Sequence, residues 1–279
     1  MRNLQCSFGN SAMKFLSITI FTTVLTIAVL VAPRDASPLE WSITEFHYQY
    51  GNLDAPSFAG GGDVETHILT FQHASGWKYG DTFLFIDFLE DSRQDGFNDD
   101  DMYGEAYFNF SLGKILGTTV GAGPVKDVGL LAGINLGADA KMVKYLPGMR
   151  LSWDIPGFSF LNLDVTAYID HSRGADSGGA PKESDSFYID VNGSYPLQIK
   201  THRFAIEGHL EYIGKRENEF GGPVHGWFLA QPQFRWDIGN EFNYPDHVYL
   251  GVEWQVWINK LGDGKTDENA VQFLAVWRF

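Results

Sequence analysis

From Trp41 to the last residue, hydrophobic and polar positions alternate in segments of about ten residues. In "HVYLGVEWQVWIN", Val248, Leu250, Val252, Trp254, Val256 and Ile258 hold one set of positions, and Tyr249, Glu253, Gln255, Trp257 and Asn259 hold the other. A period of two places the sets on opposite faces of a pleated strand. "WSITEFHYQY" sets Phe46, Tyr48 and Tyr50 against Glu45, His47 and Gln49, and "DTFLFIDFLE" sets Leu84, Ile86 and Phe88 against Phe83, Phe85 and Asp87. "YGEAYFNFSL" opposes Ala106, Phe108, Phe110 and Leu112 to Tyr103, Glu105, Tyr107 and Asn109. The pattern recurs in "LNLDVTAYID", "SFYIDVNGSY" and "RFAIEGHLEY", and more weakly near residues 64–73, 125–136, 144–154 and 225–237. With the C-terminal segment this predicts about twelve strands. The connections alternate as well: polar loops at 51–63, 89–101, 137–141, 171–184, 214–223 and 260–269 are separated by mostly shorter turns such as "ASGWKYG" and "IPG".

An even number of such strands, joined alternately by long and short connections, predicts an all-β fold, a transmembrane antiparallel β-barrel of the outer-membrane type. A soluble sandwich or lipocalin-like barrel alternates too. Its second row would face water, yet here that row carries Phe83, Phe85, Tyr103, Tyr107, Tyr168, Tyr188, Tyr249 and Trp257 among the charges. That is too aromatic for a wet exterior. The apolar rows are therefore expected to face lipid and the mixed rows the lumen. The ending "AVQFLAVWRF" fits the same frame, because a terminus with nothing to bury against is usually polar. Val271, Phe273, Ala275, Trp277 and Phe279 would form the outward row of a closing strand, with Trp277 and Phe279 at the periplasmic interface. Arg278 is inward or interfacial by parity.

Composition sharpens this picture. The 279 residues include 22 Phe, 12 Tyr, 8 Trp and 31 Gly, a mix suited to sheets with tight turns that meet a membrane interface. A net charge of −15 argues against nucleic acid as a partner. Residues 15–32 form an uncharged, largely apolar run behind Lys14 and a second methionine, Met13. This reads as a secretory signal over residues 1–36, followed by the barrel at 37–279 in the outer membrane of a Gram-negative bacterium. A retained membrane helix is the alternative. Cys6, the one cysteine, precedes that run, so the exported barrel has no disulfide or thiolate chemistry.

The stretch "THILTFQHASGWKYGDTFLFIDFLED", a strand, a Trp-containing turn and a strand, resembles the nucleoside-specific channel-forming outer-membrane family (Tsx-type, OmpK-like). "MYGEAYFNFSLGKILG" and the aromatic C-terminus are similar to it as well, and residues 113–150 match by alternation alone. The resemblance implies a monomeric twelve-strand barrel with a narrow lumen that passes nucleosides down their gradient, in some members doubling as a phage or colicin receptor. It also implies that Phe273, Trp277 and Phe279 belong to a signal read by the barrel-assembly machinery. It carries over no substrate-contacting residue.

A nucleoside offers a flat base and a hydroxylated ribose, which call for aromatic faces and for groups that hydrogen-bond the sugar and base edge. The inward rows supply Phe83, Phe85, Tyr103, Tyr107 and Trp257 for stacking, with Asp87, Glu105, Asn109 and Glu253 for polar contacts. Arg150 and Arg235 balance the acids. The same residues would serve equally well to fill and brace a small barrel. Glu207, His209 and Glu211 suggest metal ligands, but alternate strand residues stand about 6.6 Å apart, too far to close easily on one ion. "DSRQDGFNDDD" places Arg93 at a ligand position of a calcium loop and lacks its closing Glu, leaving an acidic surface loop that weakly bridges lipopolysaccharide through divalent ions as the most it offers. "FAGGGD" is too short for a dinucleotide fingerprint. No cofactor or metal is expected. An enzyme is not expected either, since an outer-membrane phospholipase needs Ser, His and a polar partner together at the lipid edge. The reading is a passive channel for nucleosides or similar small neutral solutes, with a sugar porin or a closed barrel acting as receptor or adhesin as alternatives.

Overall fold

The computed structural model describes residues 39–94 and 96–279; the signal read at residues 1–36 lies outside them. Fifteen strand segments follow in order: β1 (Trp41–Asp54), β2 (Asp63–Trp77), β3 (Gly80–Asp91), β4 (Asp101–Ser111), β5 (Val125–Gly137), β6 (Met142–Trp153), β7 (Phe160–Asp170), β8 (Ser186–Ile199), β9 (His202–Ile213), β10 (Arg216–Glu217), β11 (Pro223–Val224), β12 (Trp227–Ala230), β13 (Gln233–Asp237), β14 (Val248–Ile258) and β15 (Glu268–Arg278). β10 and β11 form a small hairpin within one extracellular loop. β12 and β13 are two halves of one wall strand, interrupted where Pro232 has no N–H to give to the ladder. Their register against β9 runs through the break, from Ala230↔Leu210 to Gln233↔Glu207. The wall thus has twelve strands.

Neighbours in sequence pair antiparallel around the wall, and β15 pairs with both β14 and β1. The closing register sets Phe46 opposite Trp277 and Tyr50 opposite Phe273. The terminal strand is pinned because it seals the cylinder, leaving no unpaired edge in lipid.

The barrel is built inside out relative to a soluble one. Large apolar side chains stand exposed on every wall strand, among them Phe46 (40% exposed), Phe88, Phe108, Leu130, Val165, Phe187, Ile206, Phe234, Val252 and Phe273 (46%). Glu45, Gln49, Asn135, Lys144, Arg150, Asp164, Arg235 and Gln272 are buried inside. Aromatic contacts cluster near both rims: Trp77 with Phe110, Phe158 with Tyr195, and Trp277 with Phe279 at the periplasmic end; Tyr50 with His67 and Tyr145 with His171 at the other. An apolar band flanked by aromatic girdles around a polar interior is the exterior of an outer-membrane barrel. It spans that membrane with strands.

The short-turn expectation for the periplasmic side holds at residues 78–79 and 200–201 and fails at two places. Residues 112–124 include a helix, Leu112–Leu116, whose first turn is capped by the Ser111 hydroxyl accepting from Lys114 N. Residues 238–247 include a helix, Ile238–Glu241, capped by Asp237 accepting from Asn240 N. Caps are point features that leave no period in the sequence.

Candidate functional site

The inward rows meet in the lumen at three depths. Toward the periplasm, Arg150 on β6 grips Asp164 on β7 through Nε and Nη2, each at 2.7 Å, and reaches Asp81 on β3 at 2.8 Å. Because β3 and β6 are not neighbours, that bond is a strut across the bore. Arg235 and Arg278 converge on Glu45, at 3.2 and 2.6 Å, and Arg235 also lies 3.5 Å from Glu207. Asn109 joins this end by donating to Asp81 at 2.8 Å, seated against Gly129, where a Cβ would collide with its amide. Toward the cell exterior, Lys144 pairs with Asp170 at 3.1 Å and Glu183 at 2.7 Å, Arg216 pairs with Glu183 at 2.9 Å, and Lys260 with Glu268 at 2.6 Å. Buried charges held this way have their desolvation offset by partners and directional hydrogen bonds.

The middle is different. Glu105 accepts from the Tyr103 hydroxyl, from the Tyr107 hydroxyl at 2.7 Å and from Asn135 Nδ2 at 2.8 Å. Asp87 accepts from Thr70 Oγ1 at 2.6 Å, Glu211 from Trp227 Nε1 at 3.0 Å, and Glu253 from Gln233 Nε2 at 2.7 Å and Gln272 Nε2 at 3.1 Å. His209 bridges Asp190 at 3.0 Å and Gln231 at 2.8 Å. Around these polar groups sits an aromatic and aliphatic cluster of Tyr107, Leu131, Leu146, Tyr168, Tyr188, Ile213, Trp227 and Leu229, with Phe83 and Trp257 packed against it. The Tyr107 ring lies over Gly133, where a Cβ would come within 2.7 Å of it. Its hydroxyl meets that of Tyr188 at 3.5 Å, from β4 across to β8, so this layer narrows the bore.

Above it, a cavity of about 290 Å³ opens among the extracellular loops, reaching from Phe58, Phe97 and Leu261 down to Lys144, Tyr168 and Trp227. Phe58 and Phe97 meet edge to face at 6.0 Å. The loop bearing Phe58 turns back through Gly60, Gly61 and Gly62, with φ of 89°, 67° and 78°, a left-handed run that other residues resist. Arg93 Nη1 donates to Gly61 O at 2.8 Å, and Ser57 N donates to Asp263 Oδ2 at 2.6 Å, tying this loop to both neighbours. Partial burial pushes the Asp263 carboxyl up, but hydrogen bonds from Ser57, Thr266 and Lys265 outweigh it and hold the group down at about 2.

All eleven lumen residues singled out from the sequence lie on inward rows, at different depths. Phe83, Phe85, Asp87, Tyr103, Glu105, Tyr107, Glu253 and Trp257 gather in or beside the middle layer, whereas Asn109, Arg150 and Arg235 belong to the periplasmic braces. Glu207, His209 and Glu211 are divided likewise: Glu207 faces Arg235, and the other two join the middle. Sequence reasoning missed Gln272, an amide inside an apolar closing strand, and Phe58 and Phe97 over the mouth, where loops carry no period to read.

No protein-family model matches the chain, and no curated protein does. Among solved structures the fold is similar to the NanC porin (12% identity, TM-score 0.47, over 85% of this chain and 99% of that one) and to the KdgM porin (10%, TM-score 0.44, over 84% and 99%). It is also similar to the COG4313 outer-membrane channel from Pseudomonas putida F1 (12%, TM-score 0.44, over 89% and 100%).

Proposed function

We propose that the barrel is a passive channel for small solutes and that nucleosides are the class its lumen suits best. The observation that carries this reading is the middle layer itself. Aromatic rings (Phe83, Phe85, Tyr103, Tyr107, Trp257) stand among acceptors and amides (Asp87, Glu105, Gln233, Glu253) directly below a cavity open to the loops. Rings provide faces for a base, and the carboxylates exchange a neutral protein donor for a ribose hydroxyl at little cost in hydrogen bonds. Conduction then requires only that each contact be weak enough to release. A porin for sugars uses the same chemistry and is a matter of degree. The narrowing at Tyr107 and Tyr188 favours a second reading, a closed barrel whose extracellular loops serve as a receptor. The outward Phe273, Trp277 and Phe279 on the closing strand fit an assembly signal, and the girdles fit contact with membrane lipid and lipopolysaccharide.

Swelling of liposomes containing the purified barrel, compared across nucleosides, free bases, monosaccharides and amino acids, tests this. Faster swelling with nucleosides is expected. Equal rates for all solutes would remove the nucleoside assignment, and no swelling in any would favour the receptor.

A further inference from the structure

Six lysines and arginines lie at the two ends of the lumen, each with carboxylate partners, and none forms an ion pair with Asp87, Glu105, Glu211 or Glu253 of the middle. Among the described residues, every Lys or Arg ion pair inside the barrel involves Glu45, Asp81, Asp164, Asp170, Glu183, Glu207 or Glu268. Asp87, Glu105, Glu211 and Glu253 are held only by hydroxyl, amide and indole donors. Among the described residues, the only basic group in this layer is His209, whose two ring nitrogens are taken by Asp190 and Gln231. Neutral donors orient a carboxylate but do not cancel a charge on it, one imidazole cannot balance four carboxylates, and charge in a narrow, low-dielectric bore is costly.

A second observation lies in the same layer. Gln272 is wholly buried (0% exposed) and gives its amide nitrogen to Glu253, while its Oε1 has no donor at all. An acceptor left open beside a carboxylate is matched by a species that accepts nothing and carries positive charge. Carboxylate rings in pores select for cations in this way.

We infer that the middle layer of Asp87, Glu105, Glu211 and Glu253, with Gln272 Oε1, is occupied transiently by monovalent cations from solution and makes the channel cation-selective. The inference rests on the channel reading above and adds a charge preference to it. A neutral nucleoside passes without electrostatic penalty, a cationic solute is favoured, and an anionic one is repelled.

The test is the reversal potential of the full-length barrel in a planar bilayer under a KCl gradient. A potassium-to-chloride permeability ratio of about five or more is expected, falling at least about twofold in the double variant Glu105→Gln/Glu253→Gln. Glu65→Gln, on the lipid-facing rim, leaves the ratio unchanged. If the double variant does not fold, the single variant Glu253→Gln gives the same reading with a smaller decrease. A conducting barrel with a ratio near one, or favouring chloride, overturns the cation layer and leaves the channel intact. A folded barrel with no conductance overturns both.

Discussion

At the periplasmic end of the lumen Asp164 is clamped by two nitrogens of Arg150, whereas in the middle Glu105 is held by two tyrosines and an asparagine. Both carboxylates are buried on inward rows, and the sequence around them alternates in the same way. Their bonds answer different needs. The guanidinium clamp, with its strut to Asp81, ties β3, β6 and β7 together, and a passing solute cannot replace it without stranding three charges. The donors to Glu105 are neutral and exchangeable, so a solute hydroxyl can take the place of one. The ends of this barrel are braces, and under the proposed channel reading its middle is where a solute would be met.

The largest effect should come from breaking a brace. Arg150→Ala leaves Asp164 buried, and Asp81 half-buried, without their cation, and loss of about 3–5 kcal/mol is expected, read as unfolding at lower urea concentration and loss of the compact heat-modifiable form at lower temperature. Val252→Arg tests the outer face of the same wall. A cation facing the mid-membrane should cost about 2–4 kcal/mol in refolding into lipid, although its neighbour Glu253, facing the lumen, is a tolerated polar group. In the middle, Trp257→Ala and Phe85→Ala should raise half-saturation for nucleoside about tenfold, the loss of one base-stacking contact, with heat-modifiable folding unchanged. Unaltered transport in both variants would move the solute path elsewhere.

The smallest effect lies at the mouth. Asp263 has a carboxyl held below the ordinary value of about 3.9, so its contribution to loop anchoring is fully present above that value and is lost as pH falls toward about 2. Protease accessibility of the loop carrying Phe58 should therefore be flat from pH 7 to about 4 and rise below it, and Asp263→Asn should show raised accessibility at neutral pH.

Much of this was legible in the sequence. The period of two put Glu253 inside and Val252 outside, and the apolar C-terminus announced a closing strand that does pair with β1. Depth was not legible. Parity assigns a face, but the height of a residue depends on strand tilt and register, so Asn109, Arg150 and Arg235 read as companions of Glu105 when they belong to the braces. Glu207 and Glu211, four residues apart on β9, likewise ended in different layers. The capped periplasmic helices and the Phe58–Phe97 contact depend on local caps and loop closure, which no periodic pattern encodes.

If the packed middle layer is a path and not a plug, solute must cross it. Uptake of radiolabelled nucleoside into proteoliposomes, against liposomes without protein, decides between the two. Saturable uptake, competed by other nucleosides and weakened by Trp257→Ala, is the predicted result. A folded barrel that admits label no faster than protein-free liposomes would contradict it.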